Sequence, residues 1–148
     1  MLSDTPEEAY FVIINIMTTL NKIQKIHDEL GNASTLASYL RALRLIGVLK
    51  YTSFVSDGHS EYHCLNDETL LSEGVHKTFI VSDEVDKTRF LSTINQAAVG
   101  KIGYIEMSKK LATCGIEGWV FDTEELTITY VGKDGKAVHK EQVRDALA

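Results

Sequence analysis

The sequence predicts an α+β domain: an antiparallel sheet built from two β-hairpins plus a short strand, with four helices packed mainly on one face. Three observations carry this. Two stretches, 48–65 and 116–131, alternate apolar and polar residues around tight-turn signals. Four other stretches repeat apolar residues at three- and four-residue spacing, and each runs up to a glycine: Gly31, Gly47, Gly100 or Gly115. The chain has 148 residues and one proline, with no Gly/Ser-rich linker, which suits one domain rather than two. Hairpins pair their strands antiparallel, and helices segregated from such strands pack on one side of the sheet.

The first helix is predicted over 5–30. Thr5 caps it, Pro6 takes the first helical position, and Glu8 completes a capping box. Ala9, Ile13, Ile16, Leu20, Ile23, His27 and Leu30 form its stripe, and Gly31 stops it. Phe11, Val12, Ile14 and Met17 widen the apolar arc of the first half. So wide an arc expects cover on more than one side, by the rest of the chain or by a second copy, and hence a homodimer. Ser34 or Thr35 caps a second helix whose Leu36, Tyr39, Leu40, Leu43 and Ile46 face inward.

The stretch 48–65 reads as a hairpin about a two-residue Asp57-Gly58 turn. That turn pairs Val55 with Ser60, Ser53 with Tyr62 and Tyr51 with Cys64. Leu49, Tyr51, Val55, Tyr62 and Cys64 then share the core face, and Lys50, Thr52, Phe54, His59, Glu61 and His63 the wet one. Residues 66–76 read as a polar connection and 77–81 as the short strand. Ser82 or Asp83 caps a third helix carrying Val85, Phe90, Ile94, Ala97 and Ala98, closed by Gly100. A fourth helix runs over 104–113. The second hairpin joins 116–122 to 126–131 through Glu124-Glu125, with Trp119, Phe121, Leu126, Ile128 and Tyr130 on one face. A turn at 133–136 leads to a last strand over 137–140, and 141–148 closes with a helical turn.

A formal net charge of −6 repels phosphate backbones and anionic lipid, so nucleic acid and membrane are not expected partners. Charged residues at 24% and apolar ones at 44% are those of a folded globular protein. Cys64 and Cys114, lying in no CxxC or Cys/His cluster, point to neither a disulfide framework nor zinc. The apolar stretch 11–17 follows Pro6, Glu7 and Glu8 rather than basic residues, so no signal peptide is expected and the location expected is cytoplasmic.

Several features occur in a recognisable order: Gly47-Val48 with Tyr51; Asp57-Gly58 with Glu61-Tyr62; Phe90; Gln96, Gly100-Lys101 and Tyr104; Gly115-Ile116 with Trp119; and Tyr130 with Gly135. Together they resemble the bacterial family catalogued as domain of unknown function 1398, the YbcV type, over roughly 34–143. Some members carry a prophage-envelope label. The resemblance implies no activity, and His59 and His63 are not expected as family features.

Three groups of residues are weighed as sites. His59-x-Glu61-x-His63 puts three possible metal ligands on one strand face, a set that suits zinc, iron or nickel; a solvated strand face is the plainer reading. Glu61 with Lys50 or His63 has the makings of an acid–base pair, or simply a cross-strand ion pair. Gln96, Lys101 and Tyr104 gather at a helix–helix corner that, with Trp119, is the preferred ligand location, against a packed corner. Trp119 and Tyr130 are an expected cross-strand aromatic pair. Cys114, at a helix end of the wrong polarity to activate a thiol, reads as inert. No phosphate loop, GxGxxG, GxSxG or HExxH is present. The expected function is therefore non-enzymatic binding of a ligand or partner, without a cofactor. The alternatives are a small metal-dependent or acid–base enzyme centred on 59–63, and a prophage-derived structural protein.

Overall fold

A computed structural model describes residues 19–146. The chain forms α1 (Leu20–Leu30), α2 (Leu36–Leu45), β1 (Val48–Phe54), β2 (Ser60–Cys64), β3 (Thr69–Leu71), α3 (Lys87–Ala98), α4 (Tyr104–Thr113), β4 (Ile116–Asp122), β5 (Thr127–Gly132) and β6 (Ala137–Gln142), with short 3-10 turns at Ala33–Thr35 and Leu65–Asp67. The six strands make one sheet in the order β3-β2-β1-β4-β5-β6, with every neighbouring pair antiparallel. The fold is α+β, as the hairpins and helical stripes imply.

Register explains why the helices share a face. Tyr62, Tyr51, Phe121 and Ile128 lie directly opposite one another along one row, and Ser60, Ser53, Trp119 and Tyr130 along the next. Residues so aligned project to the same side. Tyr39 of α2 stacks on Tyr51, Phe90 of α3 meets Tyr130 edge-on, and Tyr104 of α4 meets Trp119 edge-on. All four helices thus serve one contiguous core, in which Leu40, Leu43, Val48, Phe90, Leu111 and Ile116 are wholly buried. The opposite face carries rows such as Glu61, Thr52, Val120, Thr129 and Lys140. The expected Trp119–Tyr130 pair is present, with ring centroids 6.2 Å apart.

Some expectations are corrected. Thr19 has an extended backbone and its hydroxyl accepts the Lys22 N–H, so α1 begins at Leu20 rather than running unbroken from residue 5. The stretch 5–18 and its proposed cap lie outside the described residues. The first hairpin closes on a four-residue loop, not on a two-residue turn: Phe54 donates its N–H to the His59 carbonyl at 2.9 Å. Only Gly58 of the Asp57-Gly58 pair has positive φ, whereas the expected turn needs it at both. Tyr51 therefore faces Tyr62 and Ser53 faces Ser60, two residues from the expected register. Because the slip is even, side chains keep their faces. A bulge between Val48 and Lys50 then turns Val48 into the core and leaves Leu49 exposed, reversing the expectation for Leu49.

The short strand lies at Thr69–Leu71, not at 77–81. Asn66 and Asp67, both left-handed, turn the chain back so that this segment takes the free edge of β2. Residues 77–81 cross the first hairpin loop instead, where Phe79 donates its N–H to the Ser56 carbonyl. Asp86, not Ser82 or Asp83, caps α3 by accepting the Arg89 N–H. β6 runs to Gln142 and no helical turn follows it in 143–146. Asp145 instead reaches the first turn of α2, where its carboxylate accepts the Ser38 N–H at 2.9 Å and the Ser38 hydroxyl. Among the described residues no helix is long and apolar enough to cross a membrane.

Candidate functional site

Helices α3 and α4 are joined by the short link 99–103. Gly100, left-handed at φ 76°, donates its N–H to the Ala97 carbonyl while Lys101 donates to the Gln96 carbonyl. These two bonds make a Schellman cap, the helix-closing role expected of Gly100. The returning helix lies beside its neighbour, and each presents a polar stripe at i, i+3, i+4, i+7 spacing. On α3 the stripe is Arg89, Ser92, Thr93 and Gln96; on α4 it is Glu106, Lys109, Lys110 and Thr113. The two stripes line a hollow of about 520 Å³, with Cys114 also in its lining, within the usual range for small-molecule sites.

The groove holds three cations against one carboxylate. Lys110 is braced: its ammonium donates to Gln96 Oε1 at 3.0 Å and lies 3.8 Å from Glu106. Arg89 Nε lies 3.6 Å from Asp86, the α3 cap. The Thr93 hydroxyl donates to the Arg89 carbonyl within α3. Burial pushes the Cys114 thiol up, so it stays neutral at pH 7.

The four residues expected at the helix–helix corner divide between two places. Gln96 lines the main groove, and with Lys101 it lines a shallower concavity beside it. Tyr104 and Trp119 meet each other instead, with centroids 6.4 Å apart. His76 lies edge-on to Tyr104, which is 42% exposed, whereas Trp119 is almost wholly buried. Sequence reasoning missed Arg89, Ser92, Thr93, Glu106, Lys109, Lys110 and Thr113. The signal was available: two facing helices carry polar residues at the same i, i+3, i+4, i+7 spacing, adjacent to their apolar stripes.

The 59–63 strand offers a different picture. His59 precedes β2 and is held by its own loop: Asp57 Oδ1 lies 2.5 Å from its Nδ1 and also accepts its N–H, while its ring stacks on Phe54. Those bonds from His59 hold the Asp57 carboxyl below its ordinary range. Glu61 lies opposite Thr52 and Leu71, and His63 opposite Lys50 and Thr69. Neither forms an ion pair among the described residues. Among the described residues no three His, Cys, Asp or Glu side chains gather to hold a metal ion.

A cluster of phenols lies under α2. Tyr39, Tyr51 and Tyr62 are each at most 8% exposed, and burial, helped at Tyr39 and Tyr51 by the neighbouring phenols, raises all three above the ordinary tyrosine value of 10.0. Tyr130 is raised in the same way, first by burial and then by Glu141. The folded state thus holds these protons more tightly than the unfolded chain does. Their stabilising effect is complete below pH 10.0 and is lost as pH climbs beyond it. Tyrosinate absorbance near 295 nm is expected to rise together with loss of far-UV circular dichroism, in one steep step above that pH. Gradual ionisation of every phenol with the dichroism intact would contradict this.

A comparison with curated proteins found no match. Residues 24–142 match the family model described as Protein of unknown function (DUF1398), and the chain belongs to that family.

Proposed function

We propose that this domain binds a small ligand in the groove between α3 and α4 and holds it without chemical conversion. The observation that carries the reading is the pair of facing polar stripes around a hollow of about 520 Å³. Helices that pack only for stability bury apolar stripes against each other. Here the apolar positions, Phe90 and Ile94 on α3 and Leu111 and Ala112 on α4, already serve the core, and a second set of polar side chains lines the groove. Gln96 and Lys110 brace each other, so part of the lining is preorganised. The only thiol in the lining is held protonated by burial, which suits holding a ligand better than attacking one.

The test is a ¹⁵N-HSQC titration of the whole chain with malonate, inorganic phosphate, ribose and ethanolamine as separate probes. At least one probe is expected to shift amides at 89–96 and 106–114 in a saturable manner. Gln96→Trp, which fills the groove from a half-exposed position, is expected to weaken that probe's binding by tenfold or more while the dispersion of all other amides is kept. Saturable shifts located elsewhere, or binding untouched by Gln96→Trp, would defeat the reading.

A further inference from the structure

We infer that the ligand of this groove is a small organic anion, carrying a carboxylate or a phosphate group; the inference rests on the groove being the binding site. Arg89, Lys109 and Lys110 face one hollow, and Glu106 is the only carboxylate in its lining. This local excess of positive charge stands on a chain whose formal net charge is −6. Acidic residues outnumber basic ones by 21 to 15 overall, so three cations against one acid in a single furrow reverses the balance of the whole molecule.

The cations are only partly spent on the protein's own acids. Glu106 lies 3.8 Å from Lys110, a loose i,i+4 contact between half-exposed groups. Arg89 meets Asp86 through Nε at 3.6 Å, an approach that leaves the two terminal nitrogens of its guanidinium fork for a bidentate oxyanion. Lys109 has no ion pair among the described residues. Around them, Ser92 brings a hydroxyl, while those of Thr93 and Thr113 already donate to the Arg89 and Lys109 carbonyls; Gln96, whose oxygen is taken by Lys110, keeps its amide N–H₂ for the groove. The neutral Cys114 thiol adds no negative charge. Fork, two ammonium groups, the Ser92 hydroxyl and an amide form a donor-rich lining, and the ligand that satisfies it supplies acceptors and negative charge.

Malonate and inorganic phosphate are the two anionic probes, separating carboxylate from phosphate recognition; ribose is the neutral probe. At low ionic strength one of the anions is expected to shift the groove amides, and raising salt to 0.5 M is expected to weaken it several-fold. Lys109→Glu combined with Lys110→Glu is expected to cost at least tenfold in affinity, with unchanged far-UV dichroism confirming the fold. A neutral probe that binds the groove with the same affinity in the charge-reversed protein and at high salt would overturn the anion inference and leave the groove reading standing. If no probe touches the groove, and Gln96→Trp changes nothing, both fall together.

Discussion

Gly115→Ala is expected to destabilise the fold by about 3 kcal/mol or more, one of the largest effects available from adding a single methyl group. Two costs combine. Gly115 has φ 84°, and a non-glycine residue pays about 1–2 kcal/mol to sit in that left-handed region. A Cβ there would also stand 2.2 Å from the Glu84 carbonyl oxygen and 2.7 Å from its carbon, both backbone atoms. That backbone cannot swing aside freely: Ser82 and Asp86 donate their N–H groups to the carbonyls of Ala112 and Cys114, tying 82–86 across the end of α4. Gly135→Ala is the control, since Gly135 has φ 77° but nothing within 4 Å of the added carbon. Urea unfolding of both variants separates the terms. Gly135→Ala is expected to lose only the conformational share, and equal midpoints for the two variants would contradict the close approach at Gly115.

Phe90→Ala is expected to cost about 3–5 kcal/mol, a large part of the stability of an ordinary domain. Phe90 is 0% exposed and is the largest fully buried side chain of the core. Its ring meets Tyr130 edge-on at 4.9 Å and lies 5.6 Å from the ring of His139, so it joins α3 to β5 and β6. Truncation would remove the transfer term and leave a cavity between a helix and a sheet that cannot fully close. Leu91→Ala, one residue on and 39% exposed, is expected to cost about 1 kcal/mol or less. Thermal unfolding of the pair measures the contrast; similar losses would mean that α3 is not anchored through Phe90. Since α3 forms one wall of the groove, Phe90→Ala is also expected to broaden the amide signals of 89–96 before global unfolding.

Much of this could be read from periodicity. The helix over 104–113, the hairpin pairing Trp119 with Tyr130, and the glycines at 47, 100 and 115 all come from local chemistry: apolar spacing, alternation, and left-handed backbone that glycine adopts freely. The first hairpin shows where such reading stops. Asp57-Gly58 is a strong two-residue turn signal, yet Asp57 spends its carboxylate on His59 and its carbonyl on the N–H groups of Val75 and His76. The contacts with Val75 and His76 come from elsewhere in the chain and favour the longer loop. The faces survived only because the slip was even; the bulge at Leu49 was not legible at all, being set by how β1 lies between two partners.

The candidate site divides along the same line. Gln96 and Lys101 stood out in sequence because they flank a helix-closing glycine, and both line the concave surface of that corner. Tyr104 and Trp119 stood out as aromatics near the same corner, and they meet edge-on, Trp119 buried and Tyr104 exposed, outside the groove lining. What the chain alone determined is which residues are helical, which alternate, and which side of each element is greasy, because these depend on neighbours within a few positions. Only the tertiary structure decided that Arg89, Gln96, Lys109 and Lys110 look into one hollow. Their convergence depends on how two helices are set against a common sheet, and that relative placement comes from the summed packing of side chains far apart in sequence.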